Sequence, residues 1–439
     1  MSRADAAPAG TPRGGAGRLL AVLTVATLLQ WLGSFAIAPL LPLYLQGRDV
    51  PAAGIGVVMA AFFLGALLSQ YLAGRASAIH GHRVVLLVGL AGYAAGCLGL
   101  YLSTGVEAAS AARVLQGAGA GAFEVATLTA VATAVAPGMR GRAFSAVYTG
   151  QLLGVTIGPL FGGLAGEKHL DALFLASGAA GVLASLPVLW LLPATVLATT
   201  TGAGGAGVRR GLPDDRDPPR GRSRVWSRAG RLLTPGMAGL LVVAASDGLT
   251  SGVYETCWSL LMRREGMSTA VIGLTFTLFG LPYLLFAWPA GWLVDHHDRR
   301  VLVVVSVALR AAAVASYPFL PVLSVILLVG CLEGVLLSVS RPAAQSLLAQ
   351  ESATAGLAGR GQGLFATTQT ATTVVASVAS GALFAVDHRL PFVLAAASLL
   401  ASALVVPMLW RAVAGTDRPV PAPLSPGGQL LSDGNAAGL

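Results

Sequence analysis

Gly150-Gln-Leu-Leu-Gly-Val-Thr-Ile-Gly-Pro-Leu-Phe-Gly-Gly163 lies inside a stretch, Ala143 to Gly166, that carries no charge. A bilayer core of about 30 Å needs about 20 apolar residues in a helix, and this stretch is long enough. Gly154, Gly158 and Gly162 recur every four residues, so a helix here presents one face without side chains, against which a neighbour can lie almost backbone to backbone. Pro159 removes one backbone donor and predicts a bend, which membrane helices accept where neighbours satisfy the freed carbonyl.

The same signal repeats along the chain. Apolar stretches fall near 19–45, 52–74, 84–104, 107–136, 143–166, 172–193, 236–262, 269–294, 301–317, 320–341, 361–386 and 390–411. With 55% hydrophobic and only 11% charged residues over 439 positions, the chain is read as an integral membrane protein. The runs are continuous instead of alternating, which excludes a β-barrel. The expected fold is therefore all-α, with twelve transmembrane helices. The first stretch is too long for a secretory signal and is expected to stay as a span, kinked near Pro39 and Pro42.

Polar segments set the divisions. Residues 1–17 read as a disordered cytoplasmic lead, 18–193 as a first six-helix bundle, 194–235 as an Arg-rich cytoplasmic loop, 236–411 as a second bundle and 412–439 as a disordered tail. Of the 28 Lys and Arg residues, 21 fall on the side of the N-terminus, five on the other side, and Arg113 and Arg310 within spans. That bias predicts both termini inside a plasma membrane. The net charge of +9 forms no basic face interleaved with aromatics, so no nucleic-acid partner is expected. Cys97, Cys257 and Cys331 stand alone in apolar surroundings and read as core residues.

The two bundles repeat one another. Gly74-Arg-Ala-Ser-Ala-Ile-His-Gly-His-Arg83 has a counterpart 217 residues later in Gly291-Trp-Leu-Val-Asp-His-His-Asp-Arg-Arg300. Gln116 and Gly117 map onto Glu333 and Gly334 at the same offset, and Arg142, Gln151 and Gly163 map onto Arg360, Gln369 and Gly381 at 218. Two pseudo-symmetric halves of like topology follow. Gly158 and Pro159, however, meet Ala376 and Ser377, so the Gly-Pro pair belongs to one half.

On these residues the chain resembles the major facilitator superfamily from Leu19 to Arg411. The loops after spans 2 and 8 resemble that family's Gly-x-x-x-Asp-Arg-x-Gly-Arg-Arg loop, Arg113-Val-Leu-Gln-Gly-Ala-Gly119 resembles its fourth-span Arg motif, and Gly154-x-x-x-Gly-Pro-x-x-Gly-Gly163 resembles the fifth-span motif of drug:proton antiporters. The first loop has Ala78 and Ile79 in place of Asp and Arg, while the second keeps Asp295, with Arg299 and Arg300 as gating candidates. The resemblance implies two six-helix bundles around a cavity lined by spans 1, 4, 7 and 10, and export in exchange for protons.

Ionisable side chains at membrane depth cost about 2.5–3.5 kcal/mol each on insertion scales, so each needs a partner or a wet cavity. Arg113, Glu124, Asp247, Glu255, Arg310 and Glu333 are such residues. Proton coupling asks for a carboxylate that keeps its proton in apolar surroundings and yields it when a cation or water approaches. Glu124 is the first candidate, with Arg113 on the same helical face as its expected charge partner; Asp247 and Glu255 are the second. Arg310 is expected to pair with a neighbouring acid, and Glu333 to echo Gln116 structurally. Gln30, Trp31, Phe35, Gln116, Tyr148, Gln151, Tyr254, Trp258 and Glu333 are the candidates for contact with substrate, the aromatics suiting an organic cation.

No phosphate loop, metal-ligand spacing or nucleophile motif is present in the sequence, so no enzyme activity, cofactor or metal is expected. The reading is a monomeric, proton-coupled exporter of small amphipathic or cationic molecules. A metabolite symporter, a lipid or lipid-linked glycan flippase using Arg113 and Arg310, and a membrane sensor or scaffold remain open alternatives.

Overall fold

The computed structural model describes residues 13–135, 139–166, 169–192, 234–354 and 358–414. The N-terminal lead before Arg13, nearly all of the Arg-rich loop and the tail beyond Ala414 lie outside the described residues. Helices dominate, and no strand occurs among the described residues. In lipid a spanning segment must satisfy its own backbone, which a helix does internally.

Span 1 runs over Arg13–Ile37 and continues, after a turn, as Leu41–Gln46, broken where Pro39 and Pro42 stand. It starts earlier than Leu19, since no proline from Arg13 onward stops it. Spans 2 to 6 are Ala52–His80, His82–Leu102, Val106–Ala134, Arg140–Ala165 and Leu170–Leu191. Span 7 is Pro235–Arg264, and spans 9 to 12 are Arg299–Ser316, Leu323–Thr354, Ala358–Val386 and Leu390–Ala414. Among the described residues, eleven helices are long and apolar enough to cross a membrane. The twelfth crossing is a broken one: Thr269–Leu285 and Ala287–His296 meet at 49°. Continuous apolarity over 269–294 gave no sign of that break. Its cause lies in two prolines, Pro282 and Pro289, the second of which cannot donate to the carbonyl four residues back.

Each half is assembled in the same way. In the first, span 1 packs on spans 5 and 6, span 4 on spans 2 and 3, and span 3 on span 6; adding six to every number gives the second half. The halves meet along two helix pairs, span 2 with span 11 and span 5 with span 8. Both contacts are made by glycine. A Cβ on Gly381 would lie 3.0 Å from the Cα of Gly56, and one on Gly163 would lie 2.7 Å from the Thr269 carbonyl and 3.0 Å from the Cα of Gly273. These four glycines are related by the repeat, since Gly56 maps to Gly273 and Gly163 to Gly381.

All four sit at one end of the molecule, the end that carries the turn between spans 1 and 2. At the other end the same helices part. Gly141, Gly291 and Gly363 have no heavy atom within 4 Å of a Cβ position, and Gly74 meets only Val125 of its own half. The space between the halves is thus closed at one end and open at the other.

Candidate functional site

The glycine face of span 5 is turned toward span 1. Gly154 abuts Leu28, Trp31 and Leu32; Gly158 abuts Leu32, Phe35 and Ala36; Gly162 abuts Ala36. The helix runs unbroken through Pro159, whose carbonyl lies against Gly273 of the opposite half. The motif therefore joins two neighbours, with span 1 on one side and span 8 on the other. Trp31 and Phe35 stack with centroids 5.6 Å apart and sit half-buried.

In the second half the partners exchange roles. Gly248 and Gly252 of span 7, at the positions of Trp31 and Phe35, lie against Gln369, Thr372, Thr373 and Ala376 of span 11. Close approach is kept, but the missing side chains come from the other helix of the pair.

Three spans of the second half bring charges together at mid-depth. Arg310 of span 9 donates from Nη1 to Asp247 Oδ1 of span 7 at 2.6 Å, and its Nε lies 3.5 Å from Glu333 Oε1 of span 10. Glu333 is fully buried, and its Oε2 accepts from the hydroxyls of Tyr254 (2.7 Å) and Tyr317 (3.0 Å). Asp247, Tyr254 and Trp258, spaced seven and four residues apart, share one face of span 7. Trp258 donates to Thr275 Oγ1 at 2.9 Å and meets Tyr317 edge-on, while Tyr254 adjoins Phe279 and Phe392. Glu333 does stand at the position of Gln116, and there it faces Arg310, Tyr254 and Tyr317.

The first half has a quieter version. Arg113 Nη1 donates to Gln116 Oε1 at 2.7 Å, Gln116 Nε2 to Cys97 Sγ at 3.2 Å, and the guanidinium lies 4.5 Å from the Phe62 ring centre. Gln30 donates to Ser34 at 2.9 Å, and the buried Tyr93 brings its hydroxyl against Gly33. At the offset of 217, Gln30, Tyr93 and Gln116 correspond to Asp247, Arg310 and Glu333.

The expected pairing of Arg113 with Glu124 is not what the helix provides. Eleven residues place them on one face but about 16 Å apart along the axis, too far for contact. The acid within electrostatic reach of Arg113 is Glu255, from span 7 of the opposite half. Glu255 itself is half-buried on span 7. Glu124 is half-buried with no hydrogen bond or ion pair among the described residues, and Tyr148 of span 5, half-exposed, lies within its electrostatic range.

At the open end, Asp295, Arg299 and Arg300 line a shallow recess with His297, Asp298, Leu347 and Gln350. Asp298 caps span 9 by accepting from the Arg300 amide, and Arg299 Nε faces the Val294 carbonyl at 3.5 Å. His82 is buried and bonds Thr133 at 3.1 Å.

Sequence reasoning missed Tyr317, Tyr93, Phe62 and Cys97. Tyr317 carried a readable signal, standing just before Pro318 where span 9 must end and its hydroxyl can turn inward. The other three act only through neighbours from distant segments. Among the described residues no group of His, Cys, Asp and Glu could hold a metal.

The sequence model of the Major Facilitator Superfamily matches residues 23–253 and 238–436. The class E tetracycline resistance protein of Escherichia coli is 26% identical over 301 residues, covering 66% of this chain and 69% of that protein. A triacylglyceride transporter of Mycolicibacterium hassiacum is 33% identical over 105 residues, covering 24% of this chain and only a fifth (20%) of its own length. A bacterial homolog of the human lysosomal transporter Spinster, solved in an inward-facing and unoccupied conformation, superposes with a TM-score of 0.72 at 12% identity, covering 93% of this chain and 100% of that one.

Proposed function

Since the chain belongs to the major facilitator superfamily, we propose that it is a proton-coupled exporter of small amphipathic or cationic compounds, working by alternating access between its two halves. The observation that carries this is Glu124, a half-buried carboxylate without a partner among the described residues, beside the half-exposed Tyr148. An acid so placed must take a proton or a cation.

The wider charge balance supports the same reading. Among the described residues, Glu124, Asp247, Glu255 and Glu333 lie within the spans against Arg113, Arg310 and Arg341, an excess of one acid that favours cations over anions. Trp31, Phe35, Tyr148 and Gln151 supply aromatic faces and a few polar contacts, suited to loosely defined ligands. The similarity to tetracycline resistance proteins points to export. With both termini on the cytoplasmic side of a plasma membrane, the glycine-closed end faces outward and the structure is the inward-open state. The working unit in this reading is the monomer.

The test is substrate-dependent loss of an imposed pH gradient in inside-out vesicles, with tetracycline and tetraphenylphosphonium as probes. Dissipation in the wild type that disappears in Glu124→Gln supports the proposal. Accumulation of a probe in energised whole cells, instead of its clearance, overturns export.

A lipid cargo is the second reading. It is favoured by the bend in span 8, after which Trp288 (84% exposed) and Trp292 (56% exposed) face outward, and by the local similarity to triacylglyceride transporters. Transfer of a fluorescent triacylglycerol between leaflets, with neither probe active, would select it.

A further inference from the structure

The cluster in the second half holds one negative charge too many. Arg310 serves both Asp247 and Glu333, and no other basic side chain pairs with either among the described residues. With both acids ionised the site would keep a net charge of −1 in apolar surroundings, a costly state. A second observation marks where the imbalance lies. Glu333 Oε1 and Arg310 Nε, both buried, face each other at 3.5 Å, yet neither has a hydrogen-bond partner. Arg310 is committed to Asp247, and its contact with Glu333 is only half made.

We propose that Asp247, Arg310 and Glu333 form a proton-binding site in which Arg310 passes between the two carboxylates. A proton adds to a carboxylate oxygen of Asp247 and makes it a neutral acid; no other covalent bond forms or breaks. The guanidinium then leaves Asp247 and closes on Glu333 Oε1, completing the hydrogen bond that is open now. Release of the proton reverses the move.

Asp247 is the point of exchange, since its side chain is 11% exposed and that of Glu333 is 0%. The other titratable groups facing the cluster are Tyr254 and Tyr317, which hold Glu333 Oε2, and Cys331, within electrostatic range of Tyr317. Among the described residues, spans 8 and 12 contribute uncharged Thr275, Phe279 and Phe392 around the aromatic residues, and span 11 sets uncharged Gln369 and Thr372 against Gly248, next to Asp247. Because the three members stand on spans 7, 9 and 10, the move changes how these helices are tied. The matching positions of the first half, Gln30, Tyr93 and Gln116, are neutral, so the site exists in one half only.

This inference rests on the proton-coupled reading and adds a second carrier to it. The experiment is an infrared pH titration of the full-length protein in lipid nanodiscs, following the stretching band of protonated carboxyl groups. Wild type is compared with Asp247→Asn, Glu333→Gln, Asp247→Glu and Glu124→Gln. The expected result is a titrating component that is absent from Asp247→Asn and is lost, or moved by about one pH unit or more, in Glu333→Gln, because each neutralisation leaves one acid for one arginine. Asp247→Glu retains the component and reports on a folded site.

Persistence of every titrating component in Asp247→Asn overturns the proposal. Should that variant fail to fold, an unchanged midpoint in Glu333→Gln overturns it equally. The two readings fail separately. A component lost only in Glu124→Gln keeps proton-coupled export and removes the triad, whereas an intact triad component without probe transport keeps the triad and removes the export reading.

Discussion

Gly56 and Gly381 touch backbone to backbone across the two halves, and a Cβ on Gly56 would run into the Ser377 carbonyl as well as the Gly381 Cα. This contact and its repeat-related twin, Gly163 with Gly273, close one end of the interior. Overpacking a tight contact costs about 1–3 kcal/mol, enough to shift a two-state population about tenfold or more. Gly381→Val should therefore push the halves apart at that end. A cysteine placed at Ala52, in a background freed of native cysteines, should react faster with a bulky maleimide in the variant than in its parent. Equal labelling would mean that the halves open without breaking this contact.

The exchange of roles between spans 1 and 5 and spans 7 and 11 predicts a compensating pair. Gly154→Thr, which copies Thr372, should destabilise the protein by about 1–3 kcal/mol, because the new side chain meets Trp31 and the Leu28 carbonyl. Adding Trp31→Gly, which copies Gly248, should restore much of the loss. Thermal melting in detergent checks this, and a double variant no better than Gly154→Thr would show that the spacing between the helices is fixed by other contacts.

Arg113 and Glu255 lie on opposite halves within electrostatic reach. Opposite charges held apart without a direct ion pair interact by about 1–2 kcal/mol at an effective protein dielectric, and removing both leaves no unbalanced charge. Arg113→Gln should lower the yield of folded protein, and Arg113→Gln with Glu255→Gln should recover it. Coupling below about 0.5 kcal/mol in the double-mutant cycle would show that the two charges act independently.

Removal of the Glu124 carboxylate should reduce pH-gradient-driven movement of an active probe at least about tenfold, the effect of about 1.4 kcal/mol. Glu124→Asp should keep part of it, since the charge survives on a shorter stem. Counterflow of the same probe without a gradient should persist in Glu124→Gln, which separates coupling from binding.

How much of this was legible depends on how local each signal is. The spans, the two halves and the glycine face of span 5 follow from periodicity and offset, which are properties of short segments. The pairing of Arg310 with an acid followed from the cost of a charge in lipid, but the identity of both partners did not, because Asp247 and Glu333 lie 63 residues before and 23 after it. Arg113 and Glu124 misled for the complementary reason. A shared helical face says nothing about separation along the axis, and the acid within electrostatic range of Arg113 comes from the other half. The glycines of span 7 were visible as residues, yet their meaning appears only when Thr372 and Ala376 are seen against them.

The bend at Phe286 has a mechanical side. Span 2, the repeat counterpart of span 8, is one uninterrupted helix from Ala52 to His80, whereas span 8 is jointed at its middle. The two seams between the halves are thus alike in sequence but unlike in stiffness. A load that parts the halves is transmitted along the full length of span 2, but along span 8 it is absorbed at the joint before it reaches the distal ten residues. The molecule should swing as a door does, with a rigid jamb on the side of spans 2 and 11 and a folding leaf on the side of spans 5 and 8.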